Sequence, residues 1–294
     1  MDNWDEIRTA YHVARAGTVS GAAEDLGVHH ATVIRHIDAL EGRLGVKLFQ
    51  RHARGYTATE AGADLMQVAQ ATDDQLTQLA GRLQGRGDEV SGELRVTSLT
   101  SISPLVSPTL VRFQQKYPDL IVRYLTGDRV FRLEYGEAHV AIRAGNPPEQ
   151  PDNVVQPFGK LAIGLYASKD YVDKHGQPQG EADYGQHFFI GSDDEASRAP
   201  FSRWMHQTVP SDRIVFRCSD ILHYRDAILS GGGIGFMAKW DAKRVPQLVE
   251  IAAPRDEWCA PFWLVTHVDL HRTTKVQTFL KFLKEEAKSW EIGL

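Results

Sequence analysis

Five side chains able to donate hydrogen bonds or carry positive charge stand close together: His29, His30, Thr32, Arg35 and His36. Arg51, His52 and Arg54 follow a little further on. An arginine fork matches guanine O6 and N7, a threonine meets a thymine methyl or a phosphate, and nearby cations hold the backbone. The chemistry on offer is recognition of a nucleic acid. Two other readings use the same residues. A polar helix face in water needs no ligand at all. A metal site is disfavoured because His29 and His30 are adjacent and His36 lies six residues beyond His30, rather than three or four. Imidazoles beside phosphates also imply binding that strengthens below about pH 6.5.

A second set of residues suits a small molecule. Thr100 and Ser101 precede a helix pattern, where hydroxyls and free backbone N–H groups can hold a carboxylate. Asp128, Arg143 and Gly145 each follow a strand pattern, as does Ser192, and ligands in α/β sheets lie beyond the carboxyl ends of strands. His223 and Tyr224 add polar groups, and Gly235-Phe236 closes a glycine-rich run that begins at Gly231. Each has a plainer reading: Thr100 and Ser101 as caps of their own helix, Arg143 as a structural ion-pair partner, the glycines as tight packing. The run is not G-x-G-x-x-G, so a dinucleotide site is not indicated.

The elements that position these groups follow from periodicity. Trp4, Ile7, Tyr11 and Ala14 recur at 3-4-3 spacing, one face of a helix that Gly17 ends. Ser20 reads as the cap of a short second helix holding Ala22, Ala23 and Leu26, broken at Gly27. Val33, Ile37, Leu40 and Leu44 give the inward stripe of a third, with Leu26 and Val28 filling the space between. Helix, tight turn, longer helix is a helix-turn-helix, whose second helix reads the major groove from its N-terminal part. Short β-prone segments around Arg51–Tyr56 read as a wing carrying Arg51, His52 and Arg54.

Thr57 with Glu60 resembles a capping box, and Leu65, Ala69, Thr72, Leu76, Leu79 and Leu83 then form an a/d seam. A helix apolar along one stripe needs a partner. The polar run from Gln84 to Glu89 reads as a hinge. Beyond it strands alternate with helices: strands at 93–98, 120–125, 139–143, 160–168, 188–190, 214–217 and 234–236, with helices at 104–116 and 130–135. That pattern implies βαβ units, a parallel sheet and two α/β lobes with a cleft between them.

Several runs together resemble the LysR-type transcriptional regulators. They are Gly17-Thr-Val-Ser-Gly-Ala-Ala-Glu-Asp-Leu-Gly-Val28, Val33-Ile-Arg-His-Ile-Asp-Ala-Leu-Glu41, Leu44-Gly-Val-Lys-Leu-Phe-Gln-Arg51 and Thr59-Glu-Ala-Gly62. The family's recognition helix usually starts Ser-Gln-Pro/Ser-Ala-Val-Ser-Arg. Arg35 matches that pattern, while His29, His30 and Ile34 depart from it, so the family's base preferences do not carry over. The resemblance implies an α/β protein with an N-terminal winged helix-turn-helix over residues 1–58. A linker helix that pairs subunits, with its hinge, would occupy 59–89. A two-lobed α/β effector-binding domain, similar to periplasmic solute-binding proteins, would occupy 90–294. The implied partners are double-stranded DNA, a small and often anionic effector, and further copies of the chain as dimer or tetramer.

The remaining counts exclude other classes. Net charge is −5, against a general polyanion binder, although residues 35–54 carry a local excess of three positive charges. Two cysteines make no disulfide framework and no thiolate zinc site. No apolar run approaches membrane-spanning length, and the acidic start of the chain does not read as a secretory signal, so a cytoplasmic protein is expected. G-x-S-x-G, P-loop, H-E-x-x-H and paired-carboxylate motifs are missing, so neither an enzyme nor a cofactor is indicated. The alternative is a solute-binding or ligand-sensing protein without specific DNA readout.

Overall fold

A computed structural model describes residues 4–52, 55–83, 90–127, 130–194 and 196–290. The expected hinge at 84–89 lies outside the described residues. By their contacts the residues form two compact units: Met1–Glu89 with Phe131–His139, and Val90–Val130 with Val140–Leu294. Among the described residues no helix is long and apolar enough to cross a membrane.

The first unit is built on α1 (Trp4–Ala16), α2 (Val19–Leu26) and α3 (His30–Leu44). Ile7, Tyr11, Val33, Ile37 and Leu40 meet in its core, as the periodicity requires. Ala22 and Ala23 are buried, so α2 packs closely. The cap of α2 is Thr18 rather than Ser20: its hydroxyl accepts from Gly21 N at 3.1 Å, and the helix starts two residues earlier than expected. Val28 and Leu44 are exposed rather than inward. In the last turn of α3 the inward residue is the buried Glu41, which serves the wing instead of α1.

The wing pairs β1 (Phe49–His52) with β2 (Gly55–Ala58), Arg51 opposite Tyr56. Then α4 (Glu60–Leu83) runs for about 36 Å at 1.5 Å per residue. Thr57 belongs to β2, so the cap is Thr59, whose hydroxyl accepts from Gly62 N at 3.1 Å and donates to Lys47 O at 2.7 Å. A Cβ on Gly62 would lie 2.0 Å from Leu48 O, so only glycine lets α4 approach the wing this closely. Along the seam Ala69 is buried, Leu65 is half-buried and Leu76 is exposed; the side chains of Leu79 and Leu83 lie outside the description. The expected helix at 130–135 is only a 3-10 turn, Leu133–Tyr135.

The second unit opens with β3 (Gly92–Ser98), α5 (Ser103–Lys116), β4 (Leu120–Thr126) and β5 (Val140–Ala144), followed by β6 (Asn153–Leu161) and β7 (Ile163–Ser168). It continues through α6 (Lys169–His175), β8 (Phe189–Ser192), α7 (Pro200–Thr208), β9 (Ile214–Cys218), α8 (Ile221–Leu229) and β10 (Gly235–Ala238). It ends with α9 (Lys239–Ala242), β11 (Leu248–Ala252), β12 (Ala260–His267), α10 (Val268–His271) and α11 (Thr274–Ala287).

One sheet has the order β4-β3-β5-β12-β6. The other joins β10-β7-β11 to the pair β8-β9 through a bridge between Phe189 and Ile234. The single strand expected at 160–168 is two strands in different sheets, because the chain crosses between lobes at Ala162. The sheets are mixed rather than parallel. β3 runs parallel to β4 and β5, but β12 returns from the second lobe antiparallel to β5 and β6. In the first lobe α5 and α11 pack on one another through Phe113 and Phe279, ring centres 5.1 Å apart.

Candidate nucleic-acid interface and effector site

The N-terminal half of α3 turns His29, His30, Ala31, Ile34 and Arg35 outward, with Thr32 half-buried at the edge. His36 departs from the outward set. Its Nδ1 lies 2.9 Å from Thr9 Oγ1, and that hydroxyl gives its only proton to Asp5 O at 2.6 Å. The imidazole therefore donates to Thr9, and His36 ties α3 to α1. Arg43 grips the buried carboxylate of Glu6 through both of its oxygens and fixes the same pair of helices.

The wing is positioned by Glu41, which is only 3% exposed. Its carboxylate accepts from Leu48 N at 2.9 Å, Phe49 N at 3.2 Å and Lys47 Nζ at 2.6 Å. Burial pushes its pKa up, but these hydrogen bonds outweigh burial and hold it below the ordinary carboxylate value. Arg51 joins the cluster. It donates to Asp38 at 2.5 Å and to Glu41 at 3.3 Å, and lies 5.4 Å from the centre of the Tyr56 ring. The bond to Asp38 raises its pKa. Arg51 thus spans wing and helix as an ion pair rather than reaching outward as a free cation. His52 Nε2 lies 2.9 Å from Thr57 Oγ1 across the hairpin. Arg54 lies outside the described residues.

Sequence reasoning did not single out Glu41 or Glu6. The signal for Glu41 was available: an acid four residues beyond Ile37 occupies an inward position on α3, and a buried acid must find donors.

The small-molecule residues divide into two groups. Thr100 and Ser101 form a 3-10 turn, Thr100–Ile102, that leads into α5. This turn lies beside α8, which carries His223 exposed and Tyr224 buried, so the structure brings one group together across the lobes. Ser98 ends β3; its hydroxyl donates to Leu99 O at 3.0 Å and accepts from Tyr124 Oη at 2.5 Å. Ser192 lies within β8 rather than after it, accepts from Asp194 N at 3.1 Å, and hydrogen-bonds Tyr224. Burial pushes the Tyr224 phenol up to about 12.

Arg143 is half-buried on β5. Gly145 just after it donates to Pro261 O at 3.0 Å and accepts from Trp263 Nε1 at 2.7 Å. Asp128 lies outside the described residues. Gly235 and Phe236 lie in tightly packed surroundings. A Cβ on Gly235 would sit 2.7 Å from Ile228 Cδ1, so the glycine admits α8 against β10. Phe236 is buried among Phe201, Trp204 and Trp258. Both are packing residues of the second lobe.

Comparison with known proteins finds two family models along the chain. The model for the bacterial regulatory helix-turn-helix protein, lysR family, matches residues 4–63, and that for the LysR substrate binding domain matches residues 87–288. The chain is 26% identical to the HTH-type transcriptional regulator CrgA of Neisseria meningitidis serogroup C (strain 8013), over 97% of each chain. It is 31% identical to the HTH-type transcriptional regulator IlvY of Escherichia coli (strain K12), over 72% of this chain and 73% of the relative. A full-length OxyR variant from Pseudomonas aeruginosa shares the fold with a TM-score of 0.70 at 16% identity, covering 100% of this chain and 97% of its own. An N-terminal helix-turn-helix and a substrate-binding domain that together span most of the sequence place this chain in the LysR family of transcriptional regulators.

Proposed function

We infer that residues 1–58 read an operator, that 59–89 pair two subunits, and that 90–294 bind a small effector between two lobes. The observation that carries the DNA reading is the outward face of α3: His29, His30 and Arg35 are exposed at its N-terminal half while Val33, Ile37 and Leu40 are buried behind them. Arg35 suits guanine; Thr32, His52 and Arg54 suit phosphates at the edges of the contact. His36 acts by holding α3 to α1, and Arg51 by holding the wing to α3.

Self-association is supported by α4, which leaves Val68 and Leu76 exposed, Leu76 at a groove of about 220 Å³ lined by Trp4, Ile7, Tyr11 and Ala69 with Asp5, Arg8 and Asp73. A second copy's helix fits such a stripe, as a dimer or a larger symmetric assembly. The effector is a small polar molecule, anionic for preference, met by Thr100, Ser101, Arg143, Gly145, Ser192 and His223. It shifts the assembly only by binding two arrangements unequally. The protein works in the cytoplasm and performs no catalysis.

The test is selection of genomic DNA fragments by the purified protein, followed by anisotropy titration at several salt concentrations. A recovered motif with dyad symmetry, tight binding and a steep salt slope is expected. Enrichment of no sequence would overturn the operator reading and favour a ligand-sensing protein.

A further inference from the structure

The outward face of α3 carries an apolar patch that the hydrophobic core does not use. Ile34 is 38% exposed, and the core stripe of the helix is already supplied by Val33, Ile37 and Leu40. Ala31, exposed three residues earlier, shares its face, and Val28, 40% exposed, stands just before the helix. Exposed His30 and Arg35 flank the patch. Asp38, one turn beyond Ile34, would repel a phosphate backbone, but Arg51 pairs with it. The surface is therefore apolar at its centre, with His30 and the Arg35 guanidinium at its edges and Asp38 neutralised by Arg51. In the major groove only thymine offers a methyl group, and it is read by apolar contact rather than by hydrogen bonds.

We propose that Ile34, backed by Ala31, is a specificity-determining residue that packs on the C5-methyl of a thymine in each operator half-site, beside the base pair read by Arg35. The proposal rests on the reading that α3 enters the major groove. It assigns a base to a position where this chain departs from its family's pattern. Ile34 makes no phosphate contact, so it contributes selectivity without contributing to the salt slope.

The test uses the full-length protein and the operator recovered by selection. Each thymine is replaced in turn by deoxyuridine, which removes only the methyl. At one thymine per half-site the parent protein is expected to lose about fourfold in affinity, the worth of one buried methyl group. The Ile34→Ala protein should bind the unmodified operator less tightly, show no further loss with deoxyuridine at that position, and keep an unchanged salt slope. Ile34→Val should retain part of the penalty. Arg35→Ala, in contrast, should relax preference at a neighbouring guanine. Specific binding that is indifferent to every deoxyuridine, or a full methyl penalty persisting in Ile34→Ala, would overturn the proposal while leaving the operator reading intact. Absence of any specific binding would remove both.

Discussion

The two units keep their geometry by different means. The helix-turn-helix unit buries carboxylates: Glu6 is tied to Arg43, and Glu41 to Lys47, Arg51 and two backbone N–H groups. The second lobe of the C-terminal unit packs rings edge to face instead. Trp204 and Trp258 lie 4.9 Å apart, Phe236 lies 5.1 Å from Trp258, and the Arg255 guanidinium sits 4.5 Å over Trp258 while donating to Glu181 at 2.6 Å. Three short helices enclose too little volume for such a cluster, so directional, charge-assisted bonds set their angles. An interface that must match a groove gains from that directionality. A lobe that must only stay folded does not need it.

The sharpest way to break this comparison is Phe236→Ala. Removing a fully buried ring should cost about 3–5 kcal/mol, confined to the second unit. Hydrogen exchange should show lost protection in β7, β10 and α7, with operator affinity of the folded fraction retained. Equal loss of protection across α1–α3 would mean the two units are not energetically separate.

Glu41→Ala probes the other side. Lys47 and Arg51 can turn to water, but Leu48 N and Phe49 N stay buried without an acceptor, which costs about 2–4 kcal/mol. The expected result is a loosened wing, lost operator binding, and an unchanged effector-domain transition on thermal melting. Parent-like DNA binding would show that the carboxylate does not set the wing.

The smallest effect concerns acid. His187 is buried beside Tyr171, 3.4 Å from its hydroxyl, and burial lowers its pKa, with nearby His175 lowering it too and Asp183 opposing them. The unfolded chain therefore takes up a proton before the native one does. Stability held above the ordinary value of about 6.5 is lost as pH falls from there toward the lower native pKa. His187→Asn, which keeps an acceptor for Tyr171, should flatten stability measured by denaturant between pH 7 and 5. An unchanged slope would assign the acid sensitivity elsewhere, for instance to half-buried His271, whose pKa burial also lowers.

Much of the first unit was legible because helical periodicity is local. Val33, Ile37 and Leu40 announce a face, and Gly27 marks a turn where the backbone is left-handed. His36 was read as outward, although its place three residues after Val33 puts it beside the inward stripe. The caps were misread, Ser20 for Thr18 and Thr57 for Thr59, because several hydroxyls precede each helix and only the backbone path selects one. The C-terminal unit was less legible. Residues 160–168 are β-prone throughout, so nothing local marks the crossing at Ala162, and the return of β12 beside β5 joins residues over a hundred positions apart. Gly235 and Phe236 suggested a ligand loop, yet their chemistry is equally that of a tight, aromatic core.

By itself the sequence determined the order of the elements in the first unit and the buried stripe of α3, since these depend on residue type and spacing along a single element. The tertiary structure decided which of two like groups is free and which is held. Arg35 and Arg51 are the same side chain, but only Arg51 meets Asp38 and Glu41. His30 and His36 are likewise the same, but only His36 meets Thr9. A side chain's partner is set by which element packs across from it, and that is a property of the assembled fold rather than of the chain.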